Sequence, residues 1–196
     1  MYRFFLKRIF DFVGALILLP FVLLEIVIIA PFIWLTDKGP IFYNAPRIGK
    51  DGRAFTMFKL RSMYVNAPDI RNNDGSTFNS NTDPRVTPVG RFLRKTSLDE
   101  IPQFINVLLG DMSLVGPRPS LSTKPYSEYD DVMRKRVSVR PGVTGYSQAY
   151  YRNSISQEEK FGYDAYYVDN ISLVLDVKIL FRTVFSVLSS ENINTK

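Results

Sequence analysis

The stretch FVGALILLPFVLLEIVIIAPFIWL, residues 12–35, determines the architecture of this chain. Its 24 residues carry a single charge, on Glu25. A straight helix of this length would measure about 36 Å, enough to cross a hydrocarbon core of about 30 Å. Because the run is long and no small-residue cleavage site follows it, a membrane segment is favoured over a signal peptide.

Pro20 divides this apolar segment into two pieces, because proline breaks or kinks a helix. The pieces would measure about 12 Å and 22 Å, and neither crosses a bilayer alone. Basic side chains flank both ends of the segment: Arg3, Lys7, Arg8, Lys38, Arg47, Lys50 and Arg53. Basic residues on both flanks indicate that both ends face the cytoplasm. We therefore predict a re-entrant membrane helix over residues 1–36 with its hinge at Pro20, and a kinked transmembrane helix is the alternative.

The composition of the chain limits its chemistry. The 196 residues include 25 basic and 19 acidic side chains, and this net charge of +6 suits anionic partners such as lipid headgroups or phosphorylated substrates. Cysteine and histidine are both absent from the sequence. This excludes disulfides, thiolate nucleophiles, Ser-His triads and nearly all zinc sites. Catalysis must then rest on carboxylates, Lys, Arg, Tyr or hydroxyls, and Mg²⁺ is the natural metal.

Residues 37–196 are predicted to form a compact, mostly helical α+β catalytic domain. Asp51-Gly52 lies between two apolar runs and predicts a β-hairpin within residues 41–59. Helical spacing begins near Val89 and recurs over residues 101–108, which Gly110 ends, and then over residues 125–136 and 157–168. The polar residues 64–84 are interpreted as a long loop.

The last apolar stripe of the chain has helical spacing and two interpretations. Its members are Val177, Leu180, Phe181, Val184 and Leu188. A stripe of this kind is typical of a core helix or of a helix lying at a membrane surface. Both interpretations stay open from the sequence.

Asp99 and Glu100 are adjacent carboxylates in a chain that is otherwise basic. Ser97 and Glu100 match a capping box, which would make the pair a simple helix start. Pro102 favours a second register with Asp99 as the cap, because proline is tolerated within the first turn. The two registers compete.

The same position also suits phosphate chemistry. A helix N-terminus binds phosphate, and an ionised Asp99 there can act as a nucleophile. Glu100 points about 100° away on a helix and can bind a metal instead. Arg94 lies five residues before Asp99. Arg118 stands between Pro117 and Pro119 on a stiff backbone, where it can grip phosphate oxygens or simply be a surface arginine in a proline-rich turn.

These features occur in an order that resembles one family, the small monotopic phosphoglycosyl transferases of the bacterial sugar transferase family. The matching pieces are KRIFD (7–11), FKLRSM (58–63), DPRVT (83–87), TSLDE (96–100), GDMSLVGPRP (110–119), RPGVTG (140–145), RNSIS (152–156) and DAYYV (164–168). The resemblance covers nearly the whole chain. The family often has a serine before the helix-breaking proline, where this chain has Leu19.

The resemblance implies transfer of sugar-1-phosphate from a UDP-sugar to polyprenyl phosphate, with release of UMP, at the cytoplasmic face of the bacterial inner membrane. It implies that Asp99 is the nucleophile and Glu100 a Mg²⁺ ligand. Candidate phosphate-binding residues are Lys59, Arg94, Arg118 and Arg152, and Asp164 is either a second metal ligand or a helix cap. The expected partners are the two substrates and membrane lipid, not nucleic acid, and homo-oligomerisation stays open.

Two rival hypotheses remain at this point. One is a non-enzymatic membrane-anchored module that binds anionic lipid. The other is a one-step sugar transferase in which the carboxylate acts as a general base.

Overall fold

Helix α1, Lys7–Asp37, is the longest element of the computed structural model, which describes residues 2–70, 78, 80, 82–121, 125–152 and 154–189. A π-helical turn, Tyr2–Leu6, leads into it. At 1.5 Å per residue α1 is about 46 Å long. Pro20 and Pro31 both lie inside it, and the helix continues through them. The predicted hinge at Pro20 is therefore not a break in the helix.

One face of α1 packs onto the rest of the protein along the whole helix. Its buried residues are Asp11, Ala15, Val22, Ile29 and Ile33, whose spacing follows a single helical stripe. At the first turn Lys7 Nζ lies 2.7 Å from Asp176 Oδ2. At the last turn Arg61 holds Asp37 with two hydrogen bonds of 2.6 Å. Both ends of α1 are thus fixed to the same folded unit.

The opposite face of α1 is apolar and exposed. Among its members are Phe12, Leu16, Ile17, Phe21, Leu24, Val27, Ile28, Phe32 and Leu35. Exposed apolar surface on this scale marks an interaction or membrane surface rather than an ordinary solvated face.

The predicted hairpin is confirmed. Strands β1, Ala45–Ile48, and β2, Ala54–Met57, pair antiparallel around the Asp51-Gly52 turn. The predicted helix starts near Val89 as α2, Pro88–Thr96, and the next helix, α3, spans Gln103–Leu109. Gly110 ends α3 at a φ of 96°, a conformation that glycine adopts without strain.

A short parallel strand pair links the middle of the chain to its second half. Strands β3, Ser113–Val115, and β4, Gly142–Thr144, pair with Ser113 opposite Gly142. A Cβ at Gly142 would collide with the backbone of Gly116, so these two segments approach closely only because both residues are glycine. This strand pair was not among the elements predicted from the sequence.

Four more helices complete the described fold: α4, Asp131–Val137, α5, Tyr146–Tyr150, α6, Gln157–Asp169, and α7, Leu173–Leu188. The helix predicted over residues 125–136 is shorter than expected. Its first part is a 3₁₀ turn, Tyr126–Glu128, and α4 begins only after Asp130, whose side chain accepts a hydrogen bond from the Met133 backbone at 2.7 Å. Asp130 therefore caps the helix and sets its start.

The apolar stripe of α7 lies on the surface. Phe181 is 74% exposed and Leu188 80% exposed, and the other members of the stripe are exposed as well. The buried side of α7 holds Asp176, Ile179 and Ser186 instead. The core-helix interpretation of this stripe is therefore wrong, and its exposure fits a helix lying at a membrane surface.

Three buried clusters form the core. The first half of α1 contributes Ala15 to a cluster with Met57, Val107 and Met112. Its second half contributes Ile29 and Ile33 to another with Leu60 and Leu93. The third cluster joins β3 to α5, α6 and α7: Val115, Ala149, Tyr167, Val168 and Ile179. Part of the loop predicted over residues 64–84 lies outside the described residues.

Candidate active site

The acidic pair sits in a tight turn between α2 and α3. Ser97 ends α2 in the left-handed conformation, with a φ of 60°, and residues Leu98–Glu100 form one 3₁₀ turn. The side chain of Ser97 forms no cap, and α3 begins only after Pro102. Neither of the two predicted capping registers forms. The turn instead leaves the carboxylates of Asp99 and Glu100 for interactions with distant parts of the chain.

Lys59 joins the two carboxylates. Its ammonium nitrogen lies 2.8 Å from Asp99 Oδ2 and 3.3 Å from Glu100 Oε1. The backbone N–H of Leu60 donates to the carbonyl of Asp99 at 2.9 Å, which holds the segment after β2 against the turn. The Asp99 side chain is only 4% exposed and that of Lys59 is 20% exposed. Lys59 and Asp99 therefore form a largely buried ion pair, and the neighbouring carboxylate of Glu100 is more accessible to solvent.

Arg118 reaches Glu100 from the other side. Its guanidinium donates to Glu100 Oε1 at 2.7 Å and to Oε2 at 3.4 Å, while half of the arginine side chain remains exposed. Burial opposes the charge on Glu100, but Arg118 and Lys59 outweigh it and hold the pKa of Glu100 below its usual range. Burial also opposes the charge on Lys59, and Asp99 and Glu100 reverse this and raise the pKa of Lys59. Glu100 and Lys59 are therefore both charged at neutral pH.

Arg94 and Arg152 occupy the edge of this site. The Nε–H of Arg94 donates to Ser62 Oγ at 3.0 Å, and its charge interacts with Asp99 and Glu100. Burial lowers the pKa of Arg94. Arg152 donates to Ser97 Oγ at 2.9 Å, so it meets the turn two residues before Asp99. The structure thus brings Lys59, Arg94 and Arg118 to the carboxylates and Arg152 to the adjoining turn.

Asp164 lies in a separate buried cluster behind Arg118. Its carboxylate accepts hydrogen bonds from Arg136 at 2.9 Å and from Ser147 at 2.8 Å, and it accepts one from the Arg118 backbone. Arg136 in turn donates to the carbonyl of Arg118 at 3.1 Å, and its guanidinium packs 3.8 Å from the ring centre of Phe161. Arg136 and Asp164 therefore hold the backbone of Arg118 in place through hydrogen bonds. Arg136 was not among the site residues predicted from the sequence, and no motif points to it.

Glu25 is the second residue whose position the sequence did not explain. It projects from the middle of α1, and its charge interacts with that of Asp99. Its Oε1 is buried and has no hydrogen-bond partner among the described residues. In the sequence, Glu25 stands out only as the single charged residue of the apolar segment 12–35. Pro20 lies one and a half turns earlier on α1 and is exposed.

The donor set of the site is made of hard oxygens, which suit Mg²⁺. Among the residues that the structure describes, no three His, Cys, Asp or Glu side chains come together as a metal cage. Mg²⁺ usually binds through one or two carboxylates together with substrate phosphates. Glu100 fits this arrangement because its carboxylate is partly exposed, at 19%, at the edge of the site.

The chain belongs to the bacterial sugar transferase family, whose profile matches residues 2–190. This confirms the resemblance found in the sequence. A UDP-galactose-lipid carrier transferase of Erwinia amylovora is 40% identical over 95% of this chain and 41% of that protein. The uncharacterized sugar transferase EpsL of Bacillus subtilis is 43% identical over 96% of this chain and 90% of that protein.

A third relative is the UDP-glucose:undecaprenyl-phosphate glucose-1-phosphate transferase of Escherichia coli, 39% identical over 92% of this chain and 39% of that protein. The chain thus spans about two fifths of the Erwinia and Escherichia proteins and nine tenths of EpsL. The region shared with the longer proteins contains the whole site described above.

Proposed function

We propose that this chain transfers sugar-1-phosphate from a UDP-sugar to undecaprenyl or a similar polyprenyl phosphate, and that it releases UMP. The observation that carries this proposal is the cluster of Asp99, Glu100, Lys59 and Arg118, formed beside an apolar helix with one face exposed. Carboxylates surrounded by cations suit phosphoryl transfer, where most of the catalysis is positioning and charge stabilisation. The names of the relatives from Erwinia and Escherichia support the same reaction class.

Asp99 is proposed as the nucleophile of a two-step reaction. In the first step a carboxylate oxygen of Asp99 attacks the β-phosphorus of the UDP-sugar. The bond between that phosphorus and the bridging oxygen breaks, and UMP leaves with the electron pair. In the second step an oxygen of the lipid phosphate attacks the same phosphorus, and the Asp99 carboxylate is released unchanged. Two displacements suit a soluble donor and a membrane-bound acceptor, which need not meet in one complex.

Lys59 and Arg118 are proposed to change partners as the donor binds. Without substrate their charges are directed at Asp99 and Glu100. A diphosphate offers them additional anionic oxygens, and the half-exposed Arg118 can turn toward it with little loss of packing. Lys59 contacts both adjacent carboxylates and holds them close together, so the nucleophile is preorganised before the donor arrives.

Glu100 is proposed to hold Mg²⁺ together with phosphate oxygens of the donor. When bound, the metal neutralises diphosphate charge and favours departure of UMP. Asp164 is the weaker metal candidate, because Arg136 and Ser147 already occupy both of its oxygens. We assign Asp164 instead to holding the Arg118 backbone.

The membrane location is part of the proposal. α1 exposes one apolar face along its length while both of its ends are bound to one folded unit. A helix held in this way supports a monotopic arrangement, because its two ends stay on one side of the bilayer. Basic residues on both flanks favour the cytoplasmic side. Protease access to tags on both termini in sealed vesicles tests this, and ends on opposite sides would refute it.

Trapping of the covalent intermediate tests the chemistry. Purified protein is incubated with a UDP-sugar and Mg²⁺ but no lipid acceptor, and its intact mass is measured. We expect a gain equal to one sugar-phosphate group in the wild type and none in Asp99→Asn. Asp51→Asn is the matched control, since it removes the same charge from an exposed turn and should keep the adduct.

Two results would overturn the proposal. Turnover that persists in Asp99→Asn without any adduct would establish a one-step reaction. A wild-type protein that neither forms the adduct nor releases UMP with any member of a UDP-sugar panel would be a lipid-binding module rather than a transferase.

A further inference from the structure

A cavity of about 120 Å³ lies at the first turns of α1. A single water needs roughly 10–15 Å³ by the same measure, so the cavity has room for a polyatomic group. Five cations and one carboxylate contribute to its lining: Arg3, Lys7, Arg8, Lys50, Arg140 and Asp11. The cavity adjoins the C-terminal end of α3, whereas the acidic pair precedes the N-terminal end, so the two sites are separate.

Two of these cations form no close ion pair with a carboxylate among the described residues. Lys7 is neutralised by Asp176, at 2.7 Å. Arg8 and Arg140 form no ion pair within the part of the chain that the structure describes. Their charges are close enough to repel each other. Two like charges held together beside a cavity are a common feature of anion sites, because a bound anion removes their repulsion.

The hydrogen bonds of these arginines leave donors unused. Arg8 donates to the carbonyls of Val107 and Leu108, at 2.7 and 3.3 Å. Arg140 donates through Nε to the carbonyl of Gly110 at 2.7 Å. These bonds satisfy the last carbonyls of α3. The two terminal nitrogens of Arg140 have no acceptor among the described residues, and they form the planar fork that binds phosphate in a bidentate way.

We propose that this cavity is a second anion site, which binds a phosphate group through Arg140 and Arg8 with help from Lys50. The same chemistry is offered by free phosphate in the cytoplasm and by the headgroup of an anionic phospholipid. A headgroup source fits the place of the cavity at the first turns of the apolar helix, where basic groups attract anionic lipid. The competing explanation is that Arg8 and Arg140 only cap α3.

Titration with inorganic phosphate, followed by ³¹P NMR on the purified full chain, tests the site. We expect Arg140→Gln to weaken binding about tenfold or more, as loss of a charged hydrogen-bond donor does. Lys50→Gln should weaken binding by a smaller factor, and this variant should fold like the wild type, because Lys50 is exposed and lies 3.9 Å from its partner Asp51.

Two further variants separate this site from its alternatives. Arg134→Gln is the matched control, because Arg134 also donates to backbone carbonyls but does not line the cavity, and its phosphate affinity should equal that of the wild type. Binding that persists in Arg118→Gln but is lost in Arg140→Gln belongs to the cavity and not to the acidic pair.

Lipid nanodiscs identify the source of the phosphate. The protein is extracted from discs of phosphatidylcholine alone or with phosphatidylglycerol, and retained lipid is measured by native mass spectrometry. One phosphatidylglycerol retained by the wild type and lost in Arg140→Gln supports a headgroup site, and phosphate binding without retained lipid supports a free anion. Phosphate and lipid binding that are both absent, or both unchanged in Arg140→Gln and Lys50→Gln, would show that the arginines only cap α3.

Discussion

Replacing Asp164 with asparagine should destabilise the protein strongly. The change leaves the Arg136 guanidinium, whose side chain is 4% exposed, without the carboxylate that lies 2.9 Å from it. Breaking a buried ion pair by removing one partner costs about 3–5 kcal/mol. For a chain of this size that corresponds to a fall in Tm of about 6–20 °C.

The same substitution at Asp169 is the matched control. Asp169 lies on the same helix and pairs with Lys135 at the same distance of 2.9 Å, but both side chains are about half exposed. Exposed pairs contribute about 0–1 kcal/mol, so Asp169→Asn should leave Tm almost unchanged. The double variant Arg136→Met with Asp164→Leu removes both buried charges and should recover much of the loss.

Thermal unfolding with and without Mg²⁺, combined with the Mg²⁺ dependence of UMP release, separates the two roles considered for Asp164. An anchoring role predicts a low Tm at every Mg²⁺ concentration. A variant that melts like the wild type but needs much more Mg²⁺ for turnover would contradict the anchoring role and make Asp164 a metal ligand.

Three further predictions concern the charge on Glu100, the contact of α7 with lipid and the carboxyl of Glu25. Arg118 and Lys59 lower the pKa of Glu100 far below its usual value of 4.5, so their pairing stabilises the fold above about pH 4.5 and is lost progressively as the pH falls below that value. Arg118→Gln should therefore narrow the gap in Tm between pH 7 and pH 2, and an unchanged gap would contradict this pairing. In a protein that also carries Trp34→Phe, the substitution Phe181→Trp places a tryptophan on α7. Brominated lipid should quench the fluorescence of this tryptophan, and fluorescence equal to that in unbrominated lipid would place α7 away from the bilayer. Glu25→Leu removes a buried oxygen that has no hydrogen-bond partner among the described residues, so it should raise stability by about 1 kcal/mol, and a lower Tm would point to a partner for Glu25.

Elements with local signals could be predicted from the sequence. The Asp51-Gly52 hairpin, the end of α3 at Gly110 and the extent of α6 follow from turn chemistry, left-handed glycine and helical spacing. The parallel pair β3–β4 could not be predicted in this way. Its strands have three residues each and owe their position to the close approach of Gly116 and Gly142.

The candidate site also contains both residues that the sequence predicts and residues whose role depends on tertiary contacts. Asp99, Glu100 and Arg118 stand out in the sequence because of their unusual neighbours. The two capping registers, with Ser97 or with Asp99 as the cap, were both plausible locally, and the fold adopts neither. Arg152 donates to the Ser97 hydroxyl, and Lys59 pairs with the Asp99 carboxylate. Arg136 carries no local signal at all, because its role depends on Asp164 and on a backbone carbonyl 18 residues away.

Composition and spacing alone establish an apolar helix, a histidine-free and cysteine-free chemistry, and an acidic pair in a basic chain. Folding decides which face of each helix is covered and which charges meet. The α7 stripe shows this for packing, because its spacing suits a core and a lipid surface equally, and only the neighbours of α7 distinguish them. Lys59 is an example of charges that meet only in the folded protein, because Lys59 lies 40 residues from Asp99 in the sequence and its ammonium nitrogen is 2.8 Å from the Asp99 carboxylate.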